Sequence, residues 1–433
     1  MREQITVLPG TVSGRIQIPA SAGLSHLAIL CAALAEGDST VRHITWSSDI
    51  EATIYALERM GAIVWRDEDT LTIRGIGGAS LKGKVERIFC GESAATARLL
   101  IPVAGVLGLR AIFTGMGRLP RTSLKVYYDL MEEHGFAYER ESEEELPLLV
   151  KGQWKNAHFR VSGSSEPQFL AGLLMALPML EGESTLEFLP PLRQRSYIES
   201  TVDLLRRFGI RIEKVSDLCY QIPGGQKYRA GRYVVEADYS QAAFLLAAGA
   251  VAGEEEGLIL DGLDPDSVQK ERAVLDVLKD LDVQTEWIAD GGLKVYPSPL
   301  PRNKILDLGN TPDLVPAVAV IGAFGEGTLR ITNVSELRQE EFDLLKTLTT
   351  EFRKMGVLIS QKEDGLAIQG EPDGLFEGGE AESAGDHRMV LALTVLALRT
   401  FRGIDILGVD CMQKTWPSFW GDLYEIGGAV ETE

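Results

Sequence analysis

The chain has 433 residues, 45% of them apolar and 24% charged, and a formal charge of −20. That length exceeds one ordinary core and predicts two or three domains, while the acidic balance argues against a nucleic-acid surface, which needs a basic face against phosphate. Small anions remain compatible where a few cations are focused in a cleft.

At the amino-terminal side, MREQITVLPG holds no apolar run of the length a secretory signal uses. The longest apolar stretches, such as residues 169–180, reach about a dozen residues, short of the roughly 20 that span a bilayer. A cytoplasmic protein without membrane association is therefore expected. Cys31, Cys90, Cys219 and Cys411 lie far apart with no CxxC pair, so they predict reduced, mostly buried thiols and neither a metal site nor a disulfide framework. GIGGAS at Gly75 and GMGRLP at Gly115 are too short and wrongly placed for a dinucleotide fingerprint, and no cofactor is expected.

Six apolar helices are predicted, beginning near Ala22, Ser93, Glu166, Asp238, Pro312 and Asp386, at intervals of about 71 to 74 residues. Segments such as LAILCAALAEG, AAFLLAAGAVAG and MVLALTVLAL are apolar on every face, the mark of a buried helix. A short strand follows each one (STVRHI, LRAIFT, STLEFL, LILDGL, TLRITN, IDILGV), then a polar loop and an amphipathic helix. Five of these second helices end in a glycine pattern, ALERMGA, LMEEHGF, LLRRFGI, EFRKMGV and LYEIGGA, where glycine supplies a left-handed cap. The fourth, VLKDLDV, has Asp282 there, which adopts that conformation less readily. Segments such as IVWRDEDTLTIRG and VLISQKEDGLAIQG then read as hairpins. The end copies are as apolar as the middle ones, so closure is expected rather than an open stack with polar caps. The fold class is α/β, six repeats in two similar three-repeat domains: residues 21–235, and residues 1–20 with 236–433. The seam falls near residues 234–238, with the site in the cleft between the halves.

Several buried helices open on polar residues, as in GESAATAR, SSEPQF, NTPDLVP and GDHRMV. Converging helix starts form an anion site, although Ser, Asp and Glu there are also ordinary caps. Arg388 puts a cation in a first turn, which the helix dipole disfavours unless a bound anion or a carboxylate such as Asp386 compensates. Arg98 lies between apolar stretches and is costly to bury unpaired. Lys414, in CMQKTWP between a strand and a helix, occupies a position where α/β proteins place ligand contacts, or simply a solvated one.

The blocks at residues 19–37, 90–105 (CGESAATARLLIPVAG), 113–120 (FTGMGRLP), 168–178, 238–250 (DYSQAAFLLAAGA), 262–269 (GLDPDSVQ), 312–320, 385–393 (GDHRMVLAL) and 414–419 (KTWPSF) resemble the enolpyruvyl transferase family in order and spacing, from about Leu8 to Leu423. The resemblance implies two domains, each of three βαβαββ units, in the inside-out α/β barrel arrangement. It implies a monomeric enzyme of the shikimate pathway in aromatic amino-acid biosynthesis, with phosphoenolpyruvate and shikimate 3-phosphate, or a related acid, as small anionic substrates. The carboxyvinyl group passes to the acceptor's 5-hydroxyl by addition and then loss of phosphate, which requires a base, an acid and cations. Carried over by resemblance, Asp313 contacts the target hydroxyl, Glu341 is the second acid/base carboxylate and Lys414 joins them as a catalytic cation. Gln168, Tyr197, Arg98, Arg121, Asp386 and Arg388 are the substrate-binding positions.

This sequence departs from the family pattern at several of its phosphate-binding positions. A Lys-Ser pair followed by Arg becomes Ala22, Gly23 and Leu27; a Ser-Ser pair becomes Glu166 and Pro167; a glycine becomes Ala94; an arginine falls on Thr122, with Arg121 one place early; and Lys and Arg flanking the Glu341 position become Glu340 and Leu344. Each lost cation–phosphate contact removes roughly 1.5–3 kcal/mol. Three expectations follow: the family reaction with compensating contacts from Arg121, Arg193 or Arg195; an enzyme acting on an unphosphorylated shikimate-like acid; or a non-catalytic ligand-binding homologue.

Overall fold

The computed structural model describes residues 3–77, 81, 84–192, 195–299, 302–338, 343–374 and 376–432. Among them lie six four-stranded sheets built alike, a parallel pair continued by an antiparallel pair that is a hairpin in five of them. In the fifth repeat, for example, Arg302–Asp307 runs parallel to Glu326–Thr332, which pairs antiparallel with Gly365–Gly370, and that strand in turn with Leu358–Lys362. Leu329 and Ile331 are buried while Arg330 between them is exposed, the period of two that gives a strand one core face.

Beneath the sheets run the apolar helices Ala22–Leu34, Ala94–Leu107, Pro167–Ala176, Tyr239–Ala252, Val315–Ala323 and His387–Ala397. All of Val315–Ala323 is buried, and in Tyr239–Ala252 only Ser240 escapes burial. Their starts fall where the sequence places them, with Ser93, Asp238 and Asp386 accepting amide hydrogens as caps. The glycines that close the amphipathic helices take positive φ, +115° at Gly61, +68° at Gly135 and +82° at Gly209. Asp282 reaches φ +59° in the fourth repeat, so the carboxylate residue accepts the conformation glycine takes elsewhere.

The chain divides into two compact units, Ala20–Val235 on one side and Met1–Pro19 with Glu236–Glu433 on the other. Each has its own apolar core. Each also completes its sheets with strands from its own ends. Arg232–Val234, the last strand of the first unit, lies parallel to Asp38–Arg42 in its first sheet. In the other unit Val12–Gln17 pairs with Gly253–Asp261, and Gln4–Val7 lies between Ile404–Leu407 and Val430–Thr432. Cys31 and Cys90 are buried, Cys219 and Cys411 half-buried, and all four are unpaired. Among the described residues, no helix is long and apolar enough to cross a membrane.

Helix Ala94–Leu107 meets the indole of Trp154 at Gly105, where an added Cβ would lie 2.3 Å from Trp154 Nε1. Trp154 is itself stacked on Phe136, ring centroids 4.6 Å apart. Gly105→Ala overpacks this contact and is expected to cost roughly 1–3 kcal/mol. A lowered unfolding midpoint in a denaturant titration is the expected result; an unchanged midpoint would mean that the indole relocates without cost.

Candidate active site

In the unit formed by residues 1–19 and 236–433, charge gathers at the start of helix His387–Ala397. Asp386 caps that helix by accepting from the Arg388 amide at 2.8 Å. The same carboxylate accepts from Arg388 Nε at 3.1 Å and Nη2 at 2.6 Å, and Arg388 Nη1 donates to Asp313 Oδ1 at 2.6 Å. Asp313 belongs to the turn Pro312–Leu314 that leads into helix Val315–Ala323, with Pro312 setting the entry. Two carboxylates therefore answer the unfavourable dipole that Arg388 faces. Burial opposes the guanidinium's charge, but Asp386 and Asp313 outweigh it and hold Arg388 above its usual value. Asp386, which burial alone would raise, is held below the ordinary carboxylate range by Arg388. These side-chain bonds occupy three of the guanidinium's N–H donors, leaving the rest of the fork for a planar anion.

Sequence reasoning missed two neighbours of this pair. Lys270 Nζ lies 3.8 Å from Asp313 Oδ2 and 3.7 Å from Glu271 Oε1. Gln269 fixes their turn by donating Nε2 to the Ala237 carbonyl (2.8 Å) and Glu236 (3.2 Å) and accepting from the Tyr239 amide (3.1 Å). Burial pushes the Glu271 carboxyl up to about 7, with Lys270 opposing and Asp238 and Asp313 adding to the rise. Asp238 is raised by burial despite its bonds to Ser240 and the Gln241 amide. His387 is held below its usual value by burial, against Asp386, so its ring is neutral at pH 7. Lys414 is exposed on the short helix Met412–Thr415. Its charge and that of Asp386 both reach the Cys411 thiol, which burial pushes up to about 11. The available signal for Lys270 and Glu271 was position alone: they follow directly on the block that ends at Gln269.

In the unit Ala20–Val235, Arg98 Nη1 donates to Glu166 Oε2 at 3.4 Å, with the two side chains 13% and 60% exposed. The carboxylate that stands where the family pattern has a serine thus engages the expected binding cation. The hydroxyl of Tyr127 donates to the Arg98 carbonyl at 2.5 Å and ties down the helix beneath it. Gln168, just after Pro167 in the first turn of Pro167–Ala176, has a buried Oε1 with no hydrogen-bond partner among the described residues, and the Tyr197 hydroxyl likewise has none among them. Burial also holds the Tyr197 phenol above its usual value, hence neutral. Its ring abuts Gly23, where a Cβ would come 2.9 Å from Tyr197 Cε2. Ala22 opens its helix, Leu27 is wholly buried in the core and Ala94 is packed against that core.

Other expected positions behave differently. Arg121 is 81% exposed and pairs with Glu144 at 3.3 Å, and the Thr122 hydroxyl donates to the Arg118 carbonyl. No described contact joins Arg121 to Arg98, Gln168 or Tyr197. Leu344 begins helix Leu344–Lys354 and is buried. Arg195 pairs with Asp217 at 2.6 Å. Glu340, Glu341 and Arg193 lie outside the described residues.

Comparison with known proteins finds relatives that match over nearly the whole chain. The 3-phosphoshikimate 1-carboxyvinyltransferase of Clostridium kluyveri is 36% identical over 427 residues, covering 99% of this chain and 98% of the relative. That of Clostridium acetobutylicum is 36% identical over 429 residues, with 98% of each covered. The crystal structure of an EPSP synthase from Acinetobacter baumannii superposes with a TM-score of 0.87 at 25% identity and covers all of both chains. The family model for EPSP synthase (3-phosphoshikimate 1-carboxyvinyltransferase) matches residues 8–423, and the chain belongs to that family of enolpyruvyl transferases.

Proposed function

We propose that the chain transfers the carboxyvinyl group of phosphoenolpyruvate to a hydroxyl of a cyclic hydroxy acid. The observation that carries this reading is Arg388, a guanidinium fixed at a buried helix start between Asp386 and Asp313. In this reading Arg388 and Lys414 take the carboxylate and phosphate of phosphoenolpyruvate, for which a fork of N–H donors and a compact ammonium are suited. Asp313 accepts the proton of the attacking hydroxyl as its oxygen bonds to the central carbon. Glu341 and Lys414 move the proton that the methylene carbon gains on addition and gives up when phosphate leaves. Gln168, Tyr197 and Arg98 hold the acceptor, and Arg121 remains a candidate contact. A monomer at work in the cytoplasm belongs to the same reading, in keeping with four unpaired thiols.

The acceptor's identity has a second reading, favoured by the Arg98–Glu166 pair and by the fit of Tyr197 against Gly23. Around Gln168 and Tyr197 the expected cations give way to Ala22, Leu27 and a carboxylate, an environment that favours an unphosphorylated acid over shikimate 3-phosphate. A phosphate placed beside Glu166 would meet like charge in a site with one cation already shared. A ligand-binding homologue without turnover is the remaining alternative.

Asp313→Asn is expected to lower kcat by roughly 10²–10⁴-fold in a phosphate-release assay, the range for loss of a positioned base. Retention of full kcat would remove Asp313 from the reaction. Arg388→Met is expected to weaken phosphoenolpyruvate binding by roughly 1.5–3 kcal/mol, or about 10- to 150-fold, in calorimetric titration. Titration with shikimate 3-phosphate and with shikimate separates the two acceptors. Micromolar binding of the phosphorylated acid alone would overturn the second reading, and ordinary rates of phosphate release with either acid would exclude the non-catalytic alternative.

A further inference from the structure

Lys270 and Glu271 sit beside Asp313 without a role in the reading above. The Lys270 ammonium lies nearly midway between two carboxylates, 3.8 Å from Asp313 Oδ2 and 3.7 Å from Glu271 Oε1. The other oxygen of Asp313 is taken by Arg388 at 2.6 Å. The turn that carries Lys270 is anchored through Gln269 to Ala237, Glu236 and Tyr239, so the backbone from which Lys270 extends is held in place. Arg272, next in the turn, donates to the Pro265 carbonyl at 2.6 Å and is committed there.

We propose that Lys270 and Glu271 are positioning residues for Asp313, Lys270 shared between the two carboxylates and the charge on Glu271 deciding how that sharing falls. The proposal rests on the reading of Asp313 as proton acceptor and assigns no contact with substrate to either residue. With Glu271 neutral, the pull of the Lys270 ammonium falls on Asp313 alone and makes that carboxylate the weaker proton acceptor. When Glu271 loses its proton, a second negative charge joins the group and draws the ammonium toward itself. Asp313 is then the readier proton acceptor. The burial that brings the Glu271 carboxyl to about 7 puts this change within the working range. The other charged and titratable groups of the cluster are Asp238 at the start of Tyr239–Ala252, and Asp386, His387 and Arg388 at the start of His387–Ala397. Burial disfavours charge on the ring of His387, and Asp386 and Arg388 hold each other charged. Asp238 is the remaining carboxyl that burial raises, so the experiment has to separate it from Glu271.

The first test uses free protein and needs no turnover. Carboxyl carbons are labelled, and the Glu271 and Asp313 resonances are assigned by their loss in Glu271→Gln and Asp313→Asn. The Glu271 resonance should change near neutrality, and its midpoint should rise in Lys270→Met because the ammonium that favours the ionised form is gone. The Asp313 resonance should show an inflection at the same pH, absent in Glu271→Gln and still present in Asp238→Asn. A Glu271 midpoint unmoved by Lys270→Met, or an Asp313 resonance indifferent to Glu271, would overturn the proposal. The second test follows kcat/KM for carboxyvinyl transfer between pH 6 and 8. Wild type should rise by up to about tenfold, the change in ionised fraction of a group with its midpoint near 7. Glu271→Gln should be flat within about twofold and Glu271→Asp should restore the limb; a limb that persists in Glu271→Gln would also overturn it. Absence of all turnover would count against the proposed function alone, since the resonance measurements decide the coupling independently.

Discussion

A helix that is apolar on every face has one stable place, inside, and six of them lie among the described residues. Burial satisfies the middle of such a helix through its own backbone bonds and leaves only the ends with polar groups that need partners. The amphipathic helices and the sheets are arranged to cover these apolar rods, so polar chemistry is confined to where the rods begin. The clustering of Asp238, Asp313, Asp386 and Arg388 at helix starts follows from that confinement.

Within it, the balance of charge is local. Arg388 meets a dipole of the wrong sign and a dry environment, and either alone would expel a guanidinium. It stays because Asp386 doubles as helix cap and counter-ion, and because Asp313 arrives from another helix entrance. The arrangement in the Ala20–Val235 unit is built on opposite terms. There Arg98 is answered by Glu166, and the positions around Gln168 and Tyr197 are small or apolar, leaving two buried polar atoms unsatisfied. Buried acceptors and hydroxyls without partners are uncommon in folded proteins, and Gln168 and Tyr197 hold two of the several found among the described residues.

The architecture was largely legible in the sequence because periodicity and capping are local properties. The apolar helices begin within about a turn of the residues read as their starts, and even Asp282 adopts the glycine-like conformation that its position in the repeat required. What stayed hidden depends on which repeats meet. Glu166 is visible as a departure from pattern, but its bond to Arg98 comes from the packing of two helices from different repeats. Lys270 lies in one repeat and Asp313 in the next, so no spacing rule brings them together. Arg121, by sequence a plausible neighbour of the binding residues, is an exposed member of a surface ion pair with Glu144.

The way each unit finishes its sheets bears on how the protein is made. Arg232–Val234 closes the Ala20–Val235 unit with residues already present once that stretch has been synthesised, so this half is able to fold while the remainder is still being translated. Gln4–Val7 has both neighbouring strands, Ile404–Leu407 and Val430–Thr432, about 400 residues further along the chain. It must wait, unpaired, until those strands have emerged. Loop closure over that span is slow, and unpaired strand edges invite association between chains. The most exposed moment in the life of this molecule therefore falls between the folding of the Ala20–Val235 unit and the arrival of the strands that pair with Gln4–Val7.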